Sequence, residues 1–241
     1  DFFKDMGLPI IIFHLGNQPY VELCLKQALK YNKRVIFIGD HKFEGVDFYH
    51  YKDYYVQSER FEHLFRNFST NGSDYEKICI IRWMCIEEVM RSLGIERAFI
   101  CDSDVLIYDD IDALDKKYYT NFDVGLCTSS SKNVTGGQSF WNYDRLKDFV
   151  HYCFEFYSTQ IPNIEKWHKT YKQPGGICDM TLLYYFVHGK KNFVGLRLPE
   201  FPYYEKDITK IMNNELTFDL HLSAFGNHRE TNCYKSMNGM K

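Results

Sequence analysis

The sequence predicts an α/β domain with a mixed, mainly parallel central sheet flanked by helices, and three observations carry that prediction. Near the start, "LPIIIFHLG" and "RVIFIGD" are short apolar runs, each broken by glycine, with an amphipathic stretch between them. Strand, helix and strand at this spacing form a βαβ unit, which sets its two strands parallel. Further on, a long helical pattern feeds another apolar run, "AFIC", and more strand and helix pulses follow. The 241 residues are 45% hydrophobic and 17% aromatic, enough to bury a core in one α/β unit of this length.

Taken in order, Leu8–Gly16 reads as a buried strand. Val21, Leu23, Cys24, Leu25, Ala28 and Leu29 recur at helical spacing, and Arg34–Asp40 is the second buried strand. Tyr49–Tyr55 is expected as a third, more exposed strand, and Ser58–Ser69 as a helix ended by "NFSTNGSD". Asp74 is expected to cap a longer helix running through Leu93, which Gly94 closes. A strand from Arg97, a short helical piece after Asp110, and a strand over Asp123–Ser129 follow. "SSKNVTGG" reads as a loop, "QSFWN" as a strand and "YDRLKDFVHYCFEFYS" as an amphipathic helix. "KQPGG" is a turn before the helical "CDMTLLYYFVHG", and "FVGLRLP" and "FDLHLSA" are late strands. Neither an internal repeat nor a linker divides the chain.

Composition narrows the function classes. A formal net charge of -3 gives no electrostatic basis for wrapping nucleic acid or an anionic membrane. No apolar run reaches the length that spans a bilayer. The chain begins at Asp1 without a signal-like segment and is expected to be an excised domain. Its eight cysteines are scattered without a CxxC pair, which excludes a zinc ribbon or a dithiol redox motif. They fit buried positions in a reducing compartment, so a cytoplasmic setting is expected. Sequons at Asn67, Asn71 and Asn133 keep a secretory-lumen origin open.

The chemistry-bearing stretch is "ERAFICDSDVLIYDDI". Asp102 and Asp104 fall where a buried strand runs out, and ligands of open α/β sheets bind outside the carboxyl ends of the strands. Extended backbone with a period of two would aim both carboxylates to one side. Two adjacent carboxylates repel unless a cation lies between them or one is protonated. Oxygen ligands of this kind suit Mg²⁺ or Mn²⁺, which take one or two carboxylates plus phosphate oxygens. The bland alternative is an acidic turn. A second alternative is the DxD nucleophile motif of haloacid-dehalogenase-like phosphatases. That motif opens its fold and needs a later strand ending in an acidic pair, and this sequence offers neither.

The order of pieces resembles GT-A glycosyltransferases along nearly the whole chain. "DYEKICIIRWMCIEEVMRSLGI", "ERAFICDSDVLIYDDI", "DVGLCTS", "TGGQSFWN" and "GGICDMTLLYYF" follow the pattern of nucleotide-sugar-dependent transferases, bacterial and viral members in particular. The resemblance implies a single Rossmann-like GT-A domain, with its nucleotide-binding part over about residues 1–112 and its sugar and acceptor part over about 113–241. It also implies a nucleotide-diphospho-sugar donor, with UDP-sugars favoured, a Mn²⁺ or Mg²⁺ ion, and a glycan or glycoprotein acceptor.

Carried over by residue, the resemblance puts Asp102 and Asp104 on the metal, with Asp102 and the small Ser103 also beside the nucleotide. His14, Gly16 and Asn17 after the first strand, and Asp40 after the second, correspond to the nucleotide-binding edge; Gly16 also reads as a plain turn residue. Arg82 corresponds to a donor contact, and its apolar neighbours Ile78, Ile81 and Cys85 mean that it needs a buried partner. Gly136, Gly137 and Gln138 match the segment under the donor sugar, with a loop built on turn glycines as the alternative. Trp141 reads as a sugar platform or as core. Asp179 is the candidate catalytic residue: a general base in an inverting mechanism, a sugar-orienting group in a retaining one, or an acid at a helix start. His221, with His228 as the second choice, would complete the metal shell, and Arg229 or Lys235 would meet the diphosphate. A sugar- or protein-binding module of the same fold without activity is the competing function.

Overall fold

The computed structural model describes residues 7–130, 133–159 and 176–187. The expected late strands, His221, His228, Arg229 and Lys235 lie outside these residues. Strand β1 (Ile10–His14), helix α1 (Pro19–Tyr31) and strand β2 (Val35–Gly39) form the predicted βαβ unit. Strands β3 (Asp47–His50) and β5 (Arg97–Cys101) extend the parallel pairing on either side. Strands β6 (Val124–Ser130) and β7 (Asn133–Asn142) complete a six-stranded sheet in the order β3-β2-β1-β5-β7-β6. Among the described strands only β7 runs against the others in this sheet, which is thus mixed and mainly parallel. A two-stranded ribbon joins β4 (Phe68–Ser69) to β8 (Gly176–Ile177).

Helices cover both faces of the sheet. On one face, α1 buries Val21, Cys24, Leu25 and Ala28 against Phe37 and Phe99. On the other, α3 (Ser73–Leu93), α5 (Tyr143–Thr159) and α6 (Asp179–Val187) enclose an aromatic core of Trp83, Trp141, Phe149 and Phe186. Trp141 is fully buried there, with its indole N–H donating to Ser139 Oγ at 2.8 Å, so it is core and not a sugar platform. Two buried glutamates on α3 anchor its neighbours: Glu88 accepts from the Gln57 N–H of α2 (Val56–Glu62), and Glu87 from the Tyr143 hydroxyl. No helix among the described residues is long and apolar enough to cross a membrane.

Four local expectations are corrected. The third strand lies at Asp47–His50, and Tyr51–Tyr54 is a 3₁₀ turn: β2 has run out of backbone partners by Gly39, which pairs with His50. The helix expected to Ser69 stops at Glu62, and Phe68–Ser69 turns extended to pair with β8. Gly72 caps α3, leaving Asp74 in its first turn, while Gly94 ends the helix in the left-handed region at φ 62°. "NVTGG" is strand and not loop, because β7 finds β5 on one side and β6 on the other. The helical piece after Asp110 is α4 (Ile111–Leu114), capped by the Asp110 carboxylate, which accepts from the Asp112 and Ala113 N–H groups.

Candidate active site

The sheet order sets β2, β1 and β5 side by side, so the residues after their carboxyl ends share one edge. Antiparallel β7 brings its amino-terminal half to the same end, with Gln138 paired to Cys101. There the Gly-Gly-Gln segment bulges: Leu126 pairs with Ser139, whereas Cys127 pairs with Thr135. A bulge of this kind bends the strand and re-aims its residues.

Beyond β5 the chain does not stay extended. The Val105 N–H donates to the Asp102 carbonyl at 3.3 Å, so the Asp-Ser-Asp triplet forms a turn, which replaces the extended geometry expected for it. Val105 is fully buried and pins that turn to the core. The Asp102 N–H donates to the Gly137 carbonyl at 2.8 Å, and the Asp102 carboxylate lies over Gly137. A Cβ on Gly137 would come within 2.5 Å of Asp102 Oδ2, so only glycine leaves room for this carboxylate. Gly136 makes room for a different neighbour: a Cβ there would meet the Trp83 ring at 2.3 Å.

Arg82 ties the site together. Its Nη1 donates to Asp102 Oδ1 at 2.5 Å and its Nη2 to Asp179 Oδ2 at 2.9 Å, joining residues that are 20 and 97 positions away along the chain. The guanidinium also lies 5.1 Å from the centroid of the Trp83 ring. Burial alone would lower the Arg82 pKa, but the charges of Asp102 and Asp179 outweigh it and raise the group above its ordinary range. Burial raises Asp102, and the nearby charges of Asp104 and Asp179 add to that, against Arg82. Asp179 is 6% exposed and opens α6; its Oδ1 accepts from the Met180 N–H at 2.9 Å, so both carboxylate oxygens are engaged.

The β1 and β2 edges form two further links. His14 Nδ1 lies 2.8 Å from Ser103 Oγ and Nε2 lies 2.5 Å from Gln18 Oε1. An amide oxygen only accepts, so Nε2 carries the proton and, in the neutral ring, the Ser103 hydroxyl donates to Nδ1. His14 thus holds the centre of the Asp-Ser-Asp turn. The Gly16 N–H, at φ 106°, donates to Asp40 Oδ1 at 2.8 Å, and His41 reaches the same oxygen at 2.8 Å. Burial pushes Asp40 up, but these bonds outweigh it and hold the carboxyl below its ordinary value. Asn17 is exposed beside this link.

Among the described residues Arg82 joins Asp102 and Asp179, and Asp104 lies two positions beyond Asp102 in the same turn. Asp102 and Asp104 are the carboxylates that could hold a divalent cation here. Among the described residues no three acidic, histidine or cysteine side chains converge as a preformed metal cage. The remaining ligands would come from donor phosphates, or from the expected His221 outside those residues.

Two nearby residues escape the sequence reading. Tyr20, in the first turn of α1, packs edge-on to His14 with ring centroids 5.7 Å apart; its pKa is raised by burial first and then by the charge of Asp104. Nothing in its local sequence signals this. Glu76 is 2% exposed, and its position on one stripe with Ile80 and Trp83, at spacings of four and seven, was the available signal.

No protein-family model matches the sequence, and no curated protein matches it. Among solved structures, the apo form of mouse xyloside xylosyltransferase 1 is similar with a TM-score of 0.51 at 11% identity, over 73% of this chain and 80% of that one. A weaker likeness, with a TM-score of 0.33 at 12% identity over 86% and 96% of the two chains, is to a cytidylyltransferase from Leptospira borgpetersenii serovar Hardjo-bovis. At 11% identity the xylosyltransferase likeness speaks for the fold alone, and with the sheet order it shows a single α/β domain of the Rossmann-like GT-A kind.

Proposed function

We propose that the protein is a metal-dependent glycosyltransferase that moves a sugar from a nucleotide-diphospho-sugar, a UDP-sugar in the first instance, to a saccharide or protein acceptor. The observation that carries this reading is the Arg82 bridge, which fixes Asp102 of the Asp-Ser-Asp turn and Asp179 at one sheet edge. Asp102 and Asp104 would hold Mg²⁺ or Mn²⁺, which neutralises the charge growing on a departing diphosphate. Gly16, Asn17 and Asp40 would line the nucleotide, Ser103 and Gln138 the ribose and sugar hydroxyls, and Gly136 and Gly137 give the β7 backbone its bulged path under them. His14 supports the turn from behind. Both Asp179 oxygens are occupied, which favours sugar orientation over proton abstraction. A phosphorylated Asp102 is disfavoured by the guanidinium on its Oδ1.

The test is a thermal-shift screen of nucleotide-sugars with Mn²⁺ and with chelator, followed by assay of nucleoside diphosphate release. One nucleotide-sugar that stabilises the protein only with metal, and is turned over, is the expected result. No shift with any donor would overturn the reading in favour of a binding module. Turnover of a generic phosphate monoester, lost in Asp102→Asn, would replace it with a phosphatase. For the role of Asp179, Asp179→Asn should weaken donor affinity and kcat together; a loss confined to kcat would identify a general base.

A further inference from the structure

Three buried side-chain atoms without a hydrogen-bond partner among the described residues belong to groups that bond to Asp179 or sense its charge: Glu76 Oε2, Arg82 Nε and Tyr157 OH. Glu76 is the anomaly. It sits in the first turn of α3, yet its side chain is turned inward; its Oε1 accepts from Asn71 Nδ2 at 2.5 Å, Ser69 also hydrogen-bonds the carboxylate, and Oε2 has no partner among the described residues. An ionised carboxylate buried with one oxygen bare is costly, and loss of its charge relieves that cost.

Among the described residues the surroundings of Glu76 offer it no counter-charge. Ser69 of β4 and Asn71 of the turn before α3 are the groups that favour its ionised form. Asp179 of α6 faces it with negative charge, and the Cys178 thiol just before α6 senses it in turn. From α5 comes the Tyr157 phenol, fully buried and raised by desolvation. Along α3 lie the Cys79 thiol, raised to about 12 by burial and then by Asp179, and Arg82. That arginine is the one cation in the set, and its forked nitrogens are already committed to Asp102 and Asp179. Burial above all, then the charge of Asp179, holds the Glu76 carboxyl above its usual range.

We propose that Glu76 is a positioning residue of the donor site and works as a neutral carboxylic acid behind Asp179. Uncharged, it leaves Arg82 to Asp102 and Asp179. Ionised, it repels Asp179 and competes for the guanidinium, so the bridge that fixes the Asp-Ser-Asp turn loosens. Transfer then has an alkaline limb that belongs to Glu76. The role in transfer rests on the glycosyltransferase reading; the neutral state does not.

Two measurements on wild type, Glu76→Gln and Glu76→Leu separate these parts. The first needs no donor: urea unfolding between about pH 5 and about pH 9. A carboxyl whose folded pKa is raised contributes stability below its unfolded pKa and loses it as pH rises through the folded one. Wild type should therefore fall relative to Glu76→Gln with rising pH; a difference that stays constant, or grows in favour of wild type, overturns the proposal. The second is the pH profile of kcat with the nucleotide-sugar found in the screen. Wild type should drop about tenfold per pH unit on the alkaline side. Glu76→Leu should lose about tenfold near neutrality, while Glu76→Gln recovers most of that loss and lacks the alkaline drop. A folded Glu76→Gln protein that is inactive near neutrality, or that keeps the wild-type limb, overturns the role. If no nucleotide-sugar is turned over by any of the three proteins, the glycosyltransferase reading fails, and the unfolding series still decides the charge of Glu76.

Discussion

Replacing Arg82 with methionine keeps much of the side-chain volume but leaves Asp102 and Asp179 facing each other without a cation. The side chains of Asp102 and Asp179 are 27% and 8% exposed, so solvent screens the first in part and the second little. Removing one partner of a buried ion pair costs about 3–5 kcal/mol, and the exposure of Asp102 puts this case near the lower end, about 3 kcal/mol near neutral pH. At about 2–4 °C per kcal/mol for a domain of this size, Tm should fall by about 6–12 °C. The loss should depend on pH. Asp102 is already raised by burial, and without Arg82 it rises further, so the variant keeps its stability below the unfolded pKa and loses it as pH climbs through the folded one. Thermal unfolding followed by circular dichroism, in buffer with chelator, at about pH 5 and about pH 8 would show the gap to wild type widening with pH. Arg82→Lys should recover about half of the loss, since one ammonium cannot fork to two carboxylates. A loss below about 0.5 kcal/mol, or one equal at both pH values, would refute the claim that Arg82 neutralises both acids.

The two β7 glycines should fail in different ways. Gly136→Ala drives a methyl into the Trp83 ring and should cost about 1–3 kcal/mol in unfolding experiments. Gly137→Ala displaces the Asp102 carboxylate and should weaken Mn²⁺-dependent UDP binding about tenfold by calorimetric titration while changing stability by less than about 1 kcal/mol. The reverse pattern would show that the two positions have been assigned the wrong neighbours. Asp104→Ala should abolish metal-dependent donor binding and leave Tm within about 2 °C of wild type, since a half-buried acid in a turn adds little to the core. A large drop in Tm would mean that Asp104 is structural.

Much of the fold was legible because its signals are local. The apolar runs of β1, β2 and β5, the helical stripes of α1, α3 and α5, and the stop at Gly94 each follow from backbone preference and periodicity over a few residues. The misses came where tertiary pairing overrode such preferences. The tyrosines at 49–55 favour extended backbone, but β2 offers β3 partners only as far as His50. The glycines of "TGGQ" look like turn residues in sequence, yet their place in a strand depends on Trp83 and Asp102, which arrive from distant segments. The same holds for the site. That Arg82 needed a buried partner was readable from its apolar neighbours; that it takes two, from β5 and α6, was not. His14 was legible as an edge residue, whereas its bond to Ser103 spans 89 positions. Glu76 was passed over because a glutamate in the first turn of a helix is ordinarily a solvated partner of the helix dipole.

The Gly-Gly bulge on β7 also bears on how far this site can change. One glycine yields its side-chain space to an indole of the core and the other to the Asp102 carboxylate at the sheet edge. A side chain therefore cannot be introduced at either position without disturbing the core packing or the Asp102 carboxylate.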